Sequence, residues 1–382
     1  MKLKKMLAVA LLAMSAMGFQ IVNAQSLSPS SKWHWDKGTI VINTPERPAG
    51  QEHVLGLTAA PIKTVRVGFV GLGMRGPSAV IRFCQIPGVE IVALCDYEEK
   101  RAEAQQRHLR NAGLAPATIY YGEKGYEELC KRPDVDLIYI ATDWNHHFPV
   151  AKCAMENGKH AAIEVPSAMN LEQCWNLIDL SEKTRLHCFI LENCCYDDYE
   201  MKSLLMAQDG VFGEVIRAEG AYIHELSEFW KYYWKDPNDN DKDNLHWRMK
   251  YNMENRGDLY ATHGLGPVAQ CMDIHRGDRF TTLIAMDTES FAGKEWVKKN
   301  TGKEPEEFRN GDHTTTLMRT AKGKVVEIQH NVMTPQPYNR LFKLTGTKGY
   351  ATKYPTEEFA IAGDALTGTD APKMDNITPT VS

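Results

Sequence analysis

The order of apolar runs in this 382-residue chain predicts an α/β half followed by an α+β half. Up to about residue 195, short β-branched runs alternate with helical spacings, the mark of a doubly wound parallel sheet. Beyond about residue 212, extended runs crowd together between turn signals, which reads as a large, mainly antiparallel sheet with one polar face. At roughly 150 residues per domain, the length fits two domains.

The elements follow in order. Lys2, Lys4 and Lys5 precede an apolar stretch from Leu7 to Met17, and Val22-Asn23-Ala24 offers small residues before Gln25. This predicts a signal peptide over 1–24, too short in its apolar part to span a bilayer, and hence an exported, periplasmic or secreted protein with no stable membrane insertion after cleavage. Its loss would move the net charge from −5 to −8, since three lysines and no acids leave. Residues 25–60 show no clear period and read as a linker. A first domain then spans 61–195. Val65–Val70, Val89–Cys95, Asp136–Ala141, His160–Ile163 and His187–Leu191 read as strands. The stretches 77–86, 98–112, 147–157 and 170–184 read as helices. In a second domain, 196–353, Val215–Tyr222, Phe280–Asp287, Thr314–Met318, Lys324–Val332 and Leu341–Thr345 read as strands. Residues 354–382 are polar and rich in Pro, Thr and Gly, and read as a tail without a final helix or strand.

Composition excludes several classes. With 44 basic against 49 acidic residues there is no basic stripe for a nucleic acid. A mean hydropathy of −0.40 excludes a polytopic membrane protein. Nine cysteines are too dilute for a disulfide scaffold and lack CxxC spacing, so no metal site is predicted and buried thiols are expected. In an oxidising compartment the odd count leaves at least one thiol unpaired. The run Asp236–Asn244 resembles a calcium loop in composition only, lacking the glycine and terminal Glu that an EF-hand needs, and reads as a solvated loop.

Gly71-Leu72-Gly73-Met74-Arg75-Gly76 follows the first strand and opens the first helix, and Asp96 ends the next strand. That is the context of a dinucleotide-binding Rossmann fingerprint: Gly71 for the tight turn, Gly73 for close approach of a pyrophosphate, Gly76 for packing of helix on strand. A helix N-terminus facing the phosphates adds unpaired N–H groups and partial positive charge. Asp96 at the ribose favours NAD(H) over NADP(H), because a carboxylate repels a 2′-phosphate. Arg75 is placed either on the pyrophosphate or against the adenine.

Three further motifs carry a resemblance: Ala141-Thr142-Asp143-Trp144-Asn145-His146-His147, Glu164-Val165-Pro166, and Gly257-Asp258-Leu259-Tyr260-Ala261-Thr262-His263-Gly264-Leu265-Gly266-Pro267-Val268. The first two, with the fingerprint, resemble the glucose-fructose oxidoreductase and inositol dehydrogenase (Gfo/Idh/MocA) family over roughly 62–350. That family joins a Rossmann domain to an open antiparallel-sheet domain, with the nicotinamide between them. Two departures stand out. The family's dehydrogenases carry Glu-Lys-Pro, whose Lys assists hydride transfer, and here Val165 takes the Lys position. They place Asp four residues before the second-domain His, and here Leu259 stands there with Tyr260 three before His263. The third motif is similar to the NAD-dependent glycosidases of glycoside hydrolase family 109, described as α-N-acetylgalactosaminidases and often exported.

The resemblance implies tightly bound NAD+ held by Met74, Arg75, Asp96, Trp144, Asn145, His146, His147, Glu164, Val165 and Asn193. It implies substrate contacts at Tyr222, Arg248, Tyr260, Ala261, Thr262, His263 and Tyr338. The substrate implied is a glycoside or glycoconjugate, cleaved through oxidation, elimination, water addition and reduction with no net redox change. His263 is the leading acid/base, because imidazole titrates near working pH. Tyr260 and Tyr338 are further catalytic candidates, and which group handles which proton stays open. A helix would bring Tyr260 and His263 to one face. The alternative function is an NAD-dependent sugar or cyclitol oxidoreductase; a third class is a binding module that keeps NAD as structure. Phe229, Trp230, Tyr232, Tyr233, Trp234 and Trp247 form an aromatic-rich run able to stack on sugar faces, although packing accounts for most of such a run. Arg248 beside Trp247 offers a partner for a polar or acidic substrate group. The open face of the second sheet could pair with a second copy.

Overall fold

The structure, a computed structural model, describes residues 33–227, 247–305 and 307–362. The signal-peptide pattern, the Asp236–Asn244 run and the aromatics from Phe229 to Trp234 lie outside the described residues. The chain divides into two compact units, 1–53 and 54–382.

In the first unit, β1 (Trp33–Asp36) and β2 (Thr39–Ile42) pair antiparallel across a two-residue turn. Lys37 and Gly38 both have positive φ, the geometry that matches the twist of a tight hairpin. A linker reading of 25–60 is therefore corrected: part of it is a hairpin. Lys-Gly is a weaker turn signal than Asn-Gly or Asp-Gly, which is why the pattern hid it.

In the second unit a six-stranded parallel sheet runs in the order β5-β4-β3-β6-β7-β8. Its strands are β3 (Val65–Val70), β4 (Val89–Asp96), β5 (Thr118–Tyr121), β6 (Leu137–Ile140), β7 (His160–Ile163) and β8 (Cys188–Ile190). Between them lie α1 (Gly76–Phe83), α2 (Glu99–Asn111), α3 (Gly125–Cys130), α4 (Trp144–Glu156) and α5 (Leu171–Thr184). Counted from β3 the order is 3-2-1-4-5-6, the doubly wound arrangement whose ligand crevice lies at the carboxyl ends of the strands. Apolar clusters fill both faces, one around Ile138, Val150 and Met155, the other around Phe69, Leu94 and Leu109. Strand β5 and helix α3 are absent from the sequence reading. Helix α4 begins at Trp144 rather than His147, because the Asp143 carboxylate accepts from Asn145 N and caps it there.

The second sheet has seven strands in the order β10-β11-β12-β9-β13-β14-β15. They are β9 (Val215–Ile223), β10 (Phe280–Asp287), β11 (Thr314–Thr320), β12 (Val325–Asn331), β13 (Phe342–Gly346), β14 (Gly349–Thr352) and β15 (Glu358–Ile361). All neighbours are antiparallel except β12 and β9. The tail assigned to 354–382 thus contains a strand, β15, whose alternation is too short to read. The open face carries the ion pairs Arg217–Glu219, Arg217–Glu327 and Lys343–Glu219. Its polarity fails at one edge, where Ile284, Met286 and Leu317 are exposed.

Helices α6 (Asp198–Gln208) and α8 (Thr262–Cys271) cover the other face, while α7 (Trp247–Glu254) and α9 (Ala292–Thr301) contribute to an apolar cluster around Tyr222, Met249 and Phe308. Helix α8 lies directly on β9: a Cβ at Gly220 would strike the Gly264 carbonyl, and one at Gly264 would strike the backbone of Ala221. On its other side, a Cβ at Gly266 would press on the Glu192 and Cys195 side chains. The His-Gly-Leu-Gly-Pro run is therefore a packing device that lets one helix approach both a strand and a loop.

Gly220→Ala forces a methyl against backbone. We expect a loss of about 1–3 kcal/mol, the usual penalty of overpacking, and a fall of several degrees in the calorimetric melting midpoint. An unchanged midpoint would show that this approach is not tight.

Candidate active site

The residues assigned to the cofactor all fall at the carboxyl ends of β3, β4, β6, β7 and β8, or in the turns that follow them. Gly71 has φ +93°, and a Cβ there would run into the Ala141 backbone. A Cβ at Gly76 would strike the Gly71 carbonyl, whereas Gly73 faces open space apart from Arg101. Arg75 precedes helix α1 as its N-cap and makes no side-chain cap, so the first N–H groups of the helix, to which Pro77 adds none, are open to a ligand. The loop is thus a cradle that fits a pyrophosphate. Met74 is half exposed at its rim.

Asp96 is buried, with Oδ2 accepting from Leu72 N at 2.7 Å and Oδ1 from Glu98 N at 2.9 Å. It therefore pins the glycine loop, and a ribose would reach it only through the remaining lone pairs of its oxygens. A hollow of about 340 Å³ lined by Tyr120, Tyr121, Lys124 and Gly125 lies at the end of β5, whose Tyr121 pairs with Asp96.

In the Trp144–His147 turn, His146 and His147 face apart. His146 is exposed, its Nδ1 2.5 Å from Asp143 Oδ2. His147 is buried between the carbonyls of Pro166 and Thr142, at 2.6 and 3.1 Å, and ties those two loops together. Burial pushes its pKa down. Glu164 accepts from the Tyr139 hydroxyl at 2.7 Å. Val165 is buried and offers its carbonyl to the Tyr260 hydroxyl at 3.3 Å. Asn193 opens a short 3₁₀ turn, with Nδ2 3.7 Å from Cys194 Sγ.

The substrate candidates gather around Tyr222. Across the sheet, β12 places His330 beside Tyr222. The Tyr222 ring centroid lies 4.9 Å from that of Tyr260 and 5.3 Å from that of His263. Tyr260 precedes α8 in a turn rather than standing on the helix, yet its ring is 4.7 Å from His263 because Ala261 is already helical. The Tyr260 ring also stacks on Trp144 at 5.3 Å, joining the two halves of the site. Arg248 holds its guanidinium 4.5 Å from the Tyr260 ring centroid and 4.9 Å from that of Trp144. Trp247 packs edge-on against Trp144 at 5.1 Å. A cavity of about 380 Å³ opens beside Tyr260, lined by Pro166, Met169, Tyr251, Asn255, Asp258 and Thr262. Tyr338 is half exposed and does not join this ring cluster directly: its hydroxyl accepts from Arg340 Nε at 2.7 Å, and Arg340 lies over Tyr222.

Glu192 is absent from the sequence reading. It is buried two residues beyond β8, and its Oε1 lies 2.5 Å from His263 Nδ1 and accepts from Cys194 N at 3.0 Å. Burial pushes its carboxyl up, but the hydrogen bond and charge of His263 outweigh this and hold it below its ordinary value. Burial, with Arg340 and Arg248, pushes the His263 imidazole down against the pull of Glu192. The two directions agree, each favouring the deprotonated form of its group. We hold to an ionised Glu192 and a neutral imidazole, since both guanidiniums oppose a third positive charge. Nδ1–H then donates to Glu192 and Nε2 keeps its lone pair. Burial also pushes the Tyr260 phenol and the Cys194 thiol up to about 12. Glu192, Cys194 and His263 bring donor atoms within 4.8 Å of one another, a set of metal-ligand type that no spacing announced. All nine cysteines are free thiols.

Comparison with known proteins matches two family models to successive parts of the chain. The family model for the NAD-binding Rossmann fold of the Gfo/Idh/MocA oxidoreductases matches residues 65–191, and that for the C-terminal domain of glycosyl hydrolase 109 matches 196–370. The chain is 79% identical to "Glycosyl hydrolase family 109 protein 3" of Phocaeicola vulgatus, over 99% of this chain and 68% of the relative. Among solved structures, an NAD binding oxidoreductase from Klebsiella pneumoniae superposes with a TM-score of 0.60 at 19% identity, covering 79% and 77% of the two chains. A scyllo-inositol dehydrogenase from Lactobacillus casei, with NAD(H) and scyllo-inositol bound, gives 0.58 at 15% identity, covering 78% of each. At these identities the two structures speak for the fold alone.

Since Glu192 raises the His263 pKa, Glu192→Gln should lower it. NMR titration of the His263 ring in both proteins checks this. An unmoved or higher pKa in the variant contradicts the pairing.

Proposed function

This chain belongs to glycosyl hydrolase family 109, and from that premise we propose that it is an exported α-N-acetylgalactosaminidase, or cleaves a closely related glycoside, using NAD+ catalytically. The observation that supports this best is the buried Glu192–His263 pair, set at the carboxyl edge of the Rossmann sheet against Tyr222 and Tyr260, with Val165 where a dehydrogenase of the fold carries lysine. The NAD-binding fold and the sugar-facing half meet at Trp144 and Tyr260.

The glycine cradle and the open N-terminus of α1 would hold the pyrophosphate of NAD+, with Asp96 fixing the loop beneath it. When bound, NAD+ supplies a reversible hydride acceptor for a sugar carbinol, so the chain's own groups need only move protons and orient the ring. His263 Nε2, with Nδ1 donating to Glu192, is placed to take the proton beside the transient ketone. The departing C1 substituent then needs a proton, for which Tyr260, Tyr338 and His263 itself are the available donors. Arg248, held over the aromatic faces of Tyr260 and Trp144, orients the sugar. Most glycosidases work with two carboxylates; a route of this kind needs none at the glycosidic bond.

The export reading rests on the Lys2–Ala24 pattern, and fractionation of the producing cells tests it. A net sugar oxidoreductase is the second reading. Val165 separates this chain from the dehydrogenases of the fold, which carry lysine at that position.

With a chromogenic aryl α-N-acetylgalactosaminide, we expect leaving-group release without net NADH absorbance. Accumulating NADH would favour the oxidoreductase. His263→Ala should lower kcat by about 10²–10⁴-fold, the usual worth of a positioned acid/base, while the protein keeps its bound dinucleotide. Near-normal turnover in that variant removes His263 from the mechanism.

A further inference from the structure

One cation in this site, Arg340, has no carboxylate partner among the described residues. Asn339 and Ile223 exchange both backbone hydrogen bonds, and Ala221 N donates to Leu341 O, so Arg340 lies directly across from Tyr222. Its guanidinium carbon is 4.0 Å from the centroid of the Tyr222 ring, and its Nε donates to the Tyr338 hydroxyl. Its Nη1 is buried and has no hydrogen-bond partner. Among the described residues its largest electrostatic partners are Tyr222, Tyr338 and Cys194, with no carboxylate among them. A buried donor left unpaired costs about 1–3 kcal/mol, and more when charged. A fold that keeps such a group gains when something entering the site pairs with it.

The neighbours leave that role to a ligand. Arg248 adds a second guanidinium, 5.9 Å from the Tyr222 ring. Burial and then these two arginines push His224 down to about 4, and burial with Arg248 pushes His330 down to about 3. His263 is likewise held down. Glu192 Oε1 is taken up by His263 and Cys194 N, while its Oε2 has no hydrogen-bond partner among the described residues, and Glu225 Oε1 accepts from Ser227 N. Between Tyr222 and Tyr338 the Arg340 guanidinium therefore presents an N–H edge that no carboxylate of the described residues takes up.

We propose that Arg340 forms an anion subsite, which takes an oxyanion carried by the bound sugar, either a carboxylate or a sulfate ester. The proposal rests on the reading of Tyr222 and Tyr338 as sugar contacts. A guanidinium presents N–H groups in a fixed planar fork that suits either oxyanion, whereas a neutral sugar would leave Nη1 with only a hydroxyl to pair.

Calorimetric binding to the NAD-loaded full chain tests this. The probes are N-acetylgalactosamine, N-acetylgalactosamine 6-sulfate and galacturonic acid, each measured at low salt. Wild type should bind at least one acidic sugar tenfold or more tightly than the neutral one, and the arm that wins identifies sulfate or carboxylate. Arg340→Met should bring the affinities within about twofold, while Arg340→Lys should keep much of the preference. Arg340→Gln serves where the Met variant does not fold. Equal affinities in wild type, or a preference that survives Arg340→Met, overturns the subsite. Because cleavage is not read, failure of the glycosidase reading shows separately in the chromogenic assay.

Discussion

The buried hydrogen bond between Glu192 and His263 is the constraint on which the site depends. It joins the last turn of the parallel sheet to the first turn of the helix that covers the second sheet. An ionised carboxylate almost fully removed from water is tolerated only when its charge is answered, and here an imidazole N–H and a backbone N–H answer it. The bond has a chemical consequence as well. By fixing which nitrogen of His263 carries the proton, it leaves the other free to act as a base.

Close packing enforces this arrangement. The helix bearing His263 is held between a strand and a loop, and glycine is needed on both sides: Gly264 toward β9 and Gly266 toward Glu192. The strand it rests on presents Tyr222, flanked by His330 on one neighbour and Arg340 on the other. Because register sets that row, a slip of one residue would turn all of it to the opposite face. Trp144 extends the contact to the cofactor side through its stack on Tyr260. The chemistry of the two halves is thus coupled through rings and backbone rather than through a flexible arm.

Much of the site is legible in the chain because its signals are local. The glycine loop, Asp96, the Trp144–His147 turn and the Tyr260–His263 spacing each lie within a few residues, so sequence distance stands in for spatial distance. Glu192 and Arg340 have no such signal. Glu192 lies 71 residues from its partner, and Arg340 faces Tyr222 only because the chain returns antiparallel to β9. The hairpin at Trp33–Ile42, strand β5, helix α3 and the last two strands are short segments whose apolar periods are too brief to read. The role of Asp96 also changes on folding, since its carboxylate is first engaged by the loop it was expected to serve. Tyr338 belongs to the site through Arg340 rather than beside His263.

The central claim is that the glycosidic bond breaks after a proton leaves the carbon next to a transient ketone, with His263 positioned to take it. Hydrolysis of an aryl α-N-acetylgalactosaminide in deuterated water tests this most directly. The account predicts that mass spectrometry and NMR of the released sugar show solvent deuterium at C2. A product that retains its original hydrogen at C2, formed at the full rate of cleavage, would contradict it.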